Sequence, residues 1–251
     1  TVANANLLGI PTVVMQHGLR ASREYSSDFG KMLLAKKIMV WGPKDKERVM
    51  SGGVEAERIE VTGTTIFDSL KTVETHEGRN VLFVPLHWDK EIIENFEVAD
   101  KLASTKGINI RTKLIEGQEE THYQNVIRSN RDMVGHLETI SDILKTTDLV
   151  VTLNESTLEF MAYYLDIPVI TVNNWKPKYF LDTYIEKIDK YFSGANIEAR
   201  LDNLETKIFE VLNNRQIKSK ERQKALYEEA GVGYGKTSAR ERMIEVIRNC
   251  K

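Results

Sequence analysis

Short apolar runs without alternation recur along the chain, separated by stretches of helical periodicity. Pro11-Thr-Val-Val-Met15 is one such run, following a helix-compatible stretch over 3–8 that Gly9 ends. Lys37-Ile-Met-Val-Trp41 and Glu57-Arg-Ile-Glu-Val-Thr62 read as two more strands, the second closed by Gly63. Between them residues 43–52 predict a helix, with Pro43 in its first turn and Gly52-Gly53 as the stop. Strands are expected at 80–85, 108–114, 148–153 and 167–172, and helices at 28–36, 90–106, 137–144 and 156–165. Residues 116–131 read as a polar loop with some helix, and everything from Glu198 onward as helix or loop.

Apolar runs of this kind belong to strands buried on both faces, and their alternation with helices predicts βαβ units in mostly parallel sheets. The polar stretch 72–79 reads as a linker, so the fold class expected is α/β with two parallel sheets and a cleft between them. Composition narrows the function. With 35 Lys+Arg against 37 Asp+Glu the net charge is −2, which argues against a general nucleic-acid binder. Cys250 has no intrachain partner, so no disulfide framework exists and a reducing compartment fits. No apolar stretch approaches the ~20 residues of a membrane-spanning helix.

In open α/β sheets ligands bind beyond the carboxyl ends of the strands, which singles out a few loops. Gln16-His17-Gly18 follows the first strand: an imidazole with an unperturbed pKa of about 6.5 suits proton transfer, and Gly18 permits a tight turn. The alternative is a histidine that bonds only backbone at the strand end. Asn154-Glu155-Ser156-Thr157 lies between a strand and a helix, where free amides and hydroxyls suit a phosphate. The same residues also suit an ordinary cap, with Glu159 completing a capping box on Ser156. His87 and Trp88 follow the strand at 80–85, either lining the cleft or standing beside an Asp89 cap. Gly63 is a further cleft candidate.

Ala230-Gly-Val-Gly-Tyr-Gly-Lys-Thr237 satisfies a permissive triphosphate-loop pattern. The stretch before it is a charged helix rather than a buried strand, so its glycines read as a turn between two helices. The five histidines show no metal-ligand spacing, and neither an Asp-x-Asp pair nor a Gly-x-Ser-x-Gly elbow occurs.

Taken in order, IPTVVMQHG at 10–18, IMVWGPKDKERVMSGGVEAERIEVTGTTIFD at 38–68 and SDILKTTDLVVTLNESTLEFMAYYLDIPVITV at 141–172 resemble the two-domain glycosyltransferase-B architecture. The branch most similar is that of surface-polysaccharide enzymes, CDP-glycerol glycerophosphotransferases of teichoic-acid synthesis and UDP-N-acetylglucosamine 2-epimerases. The resemblance implies a partial acceptor-side Rossmann-like domain at 1–71, a nucleotide-donor domain at 80–234 and a terminal helix at 235–251 crossing back. It implies transfer of a glycosyl or glycerophosphoryl group from a nucleotide-activated sugar or polyol to a hydroxyl of a polysaccharide or lipid-linked acceptor. His17 would be the base. Asn154, Glu155, Ser156 and Thr157 would hold the donor's phosphates, and Glu159 falls where a donor-contacting acid is common.

The sequence departs from the pattern in two places. No histidine stands near Leu114-Ile115-Glu116, and the epimerase branch would have Glu-Ala-Gly at 16–18 and a Gly-Gly run at 155–157. A sugar-nucleotide isomerase and a non-catalytic nucleotide-binding relative therefore stand as alternatives. No cofactor or metal is expected and no nucleic-acid partner, while a homodimer is compatible with the resemblance. The location implied is cytoplasmic, with room for peripheral contact at the inner membrane face. Because the first domain opens in mid-helix, the chain is expected to be the carboxyl-terminal part of a longer protein.

Overall fold

The computed structural model describes residues 2–16, 34–68, 70, 79–85, 93–113, 131–134, 140–153, 157–172 and 194–250. The chain divides into two units. The first takes in Thr1–Asp68, Glu186–Tyr191 and Gln223–Lys251, the second Ser69–Ile185 and Phe192–Arg222.

In the first unit, strands β1 (Val13–Met15), β2 (Lys37–Val40) and β3 (Ile59–Val61) form a parallel sheet in that order. Helix α1 (Val2–Leu7) precedes β1, and α2 (Pro43–Ser51) joins β2 to β3. Ile38, Val40, Ile59 and Val61 pack with Val49 of α2 and Val54 into one apolar cluster. The chain's carboxyl-terminal stretch belongs here too, with helix α8 (Ala239–Asn249) opened by a capping box between Ser238 and Glu241.

The second unit holds a six-stranded parallel sheet among the described residues: β4 (Asn80–Val84), β5 (Asn109–Lys113), β6 (Arg131–Val134), β7 (Leu149–Thr152), β8 (Val169–Val172) and β9 (Ile197–Ala199). Their order is β6-β5-β4-β7-β8-β9. Val81 and Phe83 of β4 and Leu149 and Val151 of β7 pack against α3 (Ile93–Ser104) and α6 (Leu204–Asn213). Their neighbours Leu82 and Val150 point to the opposite face and are buried as well, which is why these strands carry no alternation. Helices α4 (Ile140–Lys145) and α5 (Thr157–Tyr164) contribute Ile143, Leu144, Phe160 and Ala162 to the buried set.

Two strands depart from the expectation. Arg131–Val134, inside and just beyond the stretch read as loop, is β6, and Glu198 lies in β9 rather than in a helix or loop. Both are edge strands of three or four residues, with Arg131-Asp132 or Glu198 interrupting the apolar signal.

Helix α7 (Ser219–Ala230) begins in the second unit, where Arg222 is wholly buried. Its guanidinium donates to Asp166 Oδ1 at 2.6 Å and to the Asp166 and Arg215 carbonyls, both at 3.3 Å. Asp166 sits at φ 56°, beyond α5, and also accepts from Ser219 and Gln216. Burial alone would raise its carboxyl, but Arg222 and Ser219 outweigh it and hold Asp166 below the ordinary range. A carboxyl lowered on folding stabilises above its unfolded pKa and loses that stability as pH falls through the folded value. Asp166→Asn tolerates the same φ, so it should cost about 1 kcal/mol or less at pH 7, discounted because the side chain is 35% exposed. The difference should begin to shrink as pH falls below the usual carboxylate pKa of about 3.9 and disappear only below the lower folded value, as read from urea midpoints. A difference that grew on acidification would refute this assignment.

Candidate functional site

The strand order fixes where a ligand can sit. From β4 the chain moves outward through β5 to β6, then returns to place β7 against the other side of β4, with Val84 opposite Thr152. Progression from there runs the other way, through β8 to β9. This reversal between β4 and β7 is a topological switch point, and open α/β sheets bind their ligands beyond the carboxyl ends of the strands at such a point. Pro85 and Leu153, the first residues past the two strands, are buried.

The sequence candidates map onto this point through chain order. His87 and Trp88 follow Pro85; Asn154, Glu155 and Ser156 follow Leu153; all five lie outside the described residues. Thr157 opens α5 and is half-buried. Glu159, in the first turn of α5, is wholly buried. Its Oε2 accepts from Asn196 Nδ2 at 2.8 Å, and the Tyr163 hydroxyl oxygen lies 3.5 Å from it. Asn196 and Tyr163 carried no sequence signal beyond Tyr163 standing four residues after Glu159 on one helix face.

In the first unit Gln16 leaves β1 with its side chain turned inward. Its Nε2 donates to Asp45 Oδ2 at 2.7 Å, and its Oε1 accepts the Trp41 amide at 2.8 Å. His17 and Gly18, which follow, lie outside the described residues. Asp45 is wholly buried and accepts from Arg48 at 2.8 Å; Arg48 in turn donates to both oxygens of Glu229, at 2.7 and 2.9 Å. Burial pushes the Asp45 carboxyl up, against the pull of Arg48 and Gln16. Burial would pull the Arg48 guanidinium down, but Glu229 and then Asp45 overcome it and hold it above its ordinary value. None of these partners was legible as a group in the sequence.

Gly63, past the end of β3, adopts φ +76° and is covered by the returning chain: a Cβ there would stand 2.9 Å from Arg242 Nη2 and 3.3 Å from Ala239 Cβ. Gly231, in the glycine-rich segment after α7, lies against Gly63 and Trp41. That segment follows a helix, as expected, and not a strand. Among the described residues no group of three or more His, Cys, Asp and Glu could hold a metal ion, and no helix is long and apolar enough to cross a membrane.

No protein-family model and no curated protein sequence matches the chain. Solved structures do. A candidate UDP-N-acetylglucosamine 2-epimerase from Listeria monocytogenes superposes with a TM-score of 0.67 at 16% identity, over 98% of this chain and 70% of its own. The fold is glycosyltransferase-B. UDP-GlcNAc 2-epimerase from Neisseria meningitidis, solved bound to UDP-GlcNAc, gives 0.67 at 14% identity over 98% of this chain and 72% of its own. The wall teichoic acid polymerase TagF gives 0.66 at 12% identity, over 95% and 67%. Glycosyltransferase-B therefore describes the architecture: Rossmann-like parallel sheets flanked by helices, as the ordered motifs implied. At these identities the likeness concerns the fold and leaves the reaction to the site.

Proposed function

We propose that this chain binds the diphosphate of a nucleotide-activated sugar or polyol at the β4/β7 switch point and transfers the activated group to an acceptor hydroxyl. The observation that supports this reading is the strand reversal between β4 and β7 in a glycosyltransferase-B fold, with the stretch 154–157 following β7 in the chain and α5 starting at Thr157. Amides at a helix start, with the hydroxyls of Ser156 and Thr157, offset the charge that grows on the leaving group, with no metal invoked. His17 takes the proton from the acceptor oxygen. For glycosyl transfer that oxygen bonds to the anomeric carbon and the nucleoside diphosphate leaves; for glycerophosphoryl transfer it bonds to phosphorus and the nucleoside monophosphate leaves. The reaction would serve a surface polysaccharide or teichoic-acid-like polymer, with a lipid-linked acceptor at a membrane face as one form of it.

A second reading, sugar-nucleotide isomerisation, draws on the two epimerase structures of the same fold. Calorimetric titration with UDP, CDP and CMP, then incubation of UDP-GlcNAc and CDP-glycerol with and without an acceptor, separates the cases. Binding of a diphosphate with acceptor-dependent turnover is expected, and His17→Ala should abolish turnover while leaving donor affinity within about twofold. A changed sugar without acceptor would favour the isomerase. Binding without turnover would make the chain a non-catalytic relative.

A further inference from the structure

Asn196 stands in the bend ahead of β9, and its side chain is committed in three directions. Its Nδ2 donates to Glu159 Oε2 and to Thr171 Oγ1, each at 2.8 Å, and its Oδ1 accepts the Tyr163 hydroxyl. Its carbonyl accepts from Lys218 Nζ, so its own main chain is held as well. Glu159 and Tyr163 lie four residues apart on one face of α5, and Thr171 lies on β8. One amide group thus ties two successive turns of α5 to the sheet.

Helix α5 needs such a fastening. It has eight residues, too few to hold a helix on propensity alone. Fixed on one face at two positions a turn apart, it can neither rotate about its axis nor slide along it. Its first turn follows β7 in the chain and carries free amides, and the aim of such amides matters to a reacting phosphate: about 1 Å of misplacement can cost on the order of 100-fold in rate. The wholly buried Glu159 carboxylate is part of this fastening.

We infer that Asn196 is a positioning residue of the nucleotide site: through Glu159 and Tyr163 it sets the rotation and height of α5, and with them the direction of the amides offered to a diphosphate. This rests on the nucleotide reading above. Because the effect passes through the phosphates, Asn196 should matter to a nucleoside diphosphate and hardly at all to the nucleoside. General damage to the unit would weaken both.

NMR titration of the full chain with UDP, CDP, uridine and cytidine reads that split. Asn196→Ala should weaken the diphosphate by about tenfold or more, some 1.4 kcal/mol per decade, and leave the nucleoside within about twofold. Tyr163→Phe removes one hydroxyl and keeps the ring, so it should show the same split at smaller size and serves if Asn196→Ala fails to fold. Val211→Ala, a cavity in the α6 core, should lower the melting temperature without changing the ratio of the two affinities. Equal affinities in wild type and both variants, or equal losses for diphosphate and nucleoside, would overturn the inference alone. A wild-type chain that binds neither UDP nor CDP would overturn the nucleotide reading and this inference with it.

Discussion

Gly231→Ala is expected to destabilise the first unit by roughly 3–5 kcal/mol, from two penalties that add. Gly231 adopts φ +67°, where an alanine is strained by about 1–2 kcal/mol. Its Cβ would also stand 2.2 Å from the Trp41 carbonyl oxygen and 3.0 Å from the Gly63 Cα, both backbone atoms at strand ends that have no flexible route out of the way. Gly233 provides the internal comparison, because it has φ +76° and a Cβ there would meet nothing within 4 Å. Gly233→Ala should therefore cost only the strain, about 1–2 kcal/mol. Urea unfolding of both variants, with limited proteolysis to detect release of the tail, checks the difference. Equal losses would mean that the close approach to Trp41 does not constrain the fold. Gly42 meets the same returning helix, with a Cβ there only 2.3 Å from the Glu228 carbonyl oxygen, so it should share the intolerance.

Arg48→Met should cost about 3–5 kcal/mol at neutral pH, because it strands the buried carboxylates of Asp45 and Glu229 without their shared cation. Lys44 stays 3.5 Å from Glu229, which favours the lower end of that range. The loss should also depend on pH. Burial already raises the Asp45 carboxyl, and removing Arg48 takes away an opposing pull, so the folded pKa moves further above the unfolded one. A carboxyl raised on folding contributes stability that is present below its unfolded pKa of about 3.9 and lost as pH rises through the folded value. The deficit of Arg48→Met relative to wild type should therefore be small near pH 4 and grow toward pH 7. A deficit independent of pH would mean that lost packing by the arginine stem, and not charge, dominates.

In the second unit the central strands were legible and the edges were not, for one physical reason. β4 and β7 are covered on both faces, so nearly every position must be apolar and the run stands out of the sequence. β6 and β9 have a neighbour on one side only, and short, charged strands suffice there. The site divides in a similar way. Chain order alone was enough to put the stretches after Pro85 and Leu153 beyond strand ends, while the pairing of β4 with β7 came from the structure. The groups that hold such places still were invisible, because Asn196 meets Glu159 across 37 residues and Glu229 meets Arg48 across 181. Gln16 illustrates the limit from the other side: it was a cleft candidate by position, and its amide is turned into the unit, onto Asp45 and Trp41.

That 181-residue separation also bears on the order of assembly during synthesis. The six described strands of the second unit have been made once the ribosome has passed Ala199, and the start of α7 follows shortly after. The strands β1 to β3 of the first unit come before those of the second, yet Gly42, Gly63 and Arg48 await partners encoded between Glu228 and Arg242. Domains ordinarily mature from the amino terminus onward. Here the unit whose strands are made earlier is the later one to close: β1, β2 and β3 stay incompletely covered until the stretch from Glu228 to Arg242 has been made.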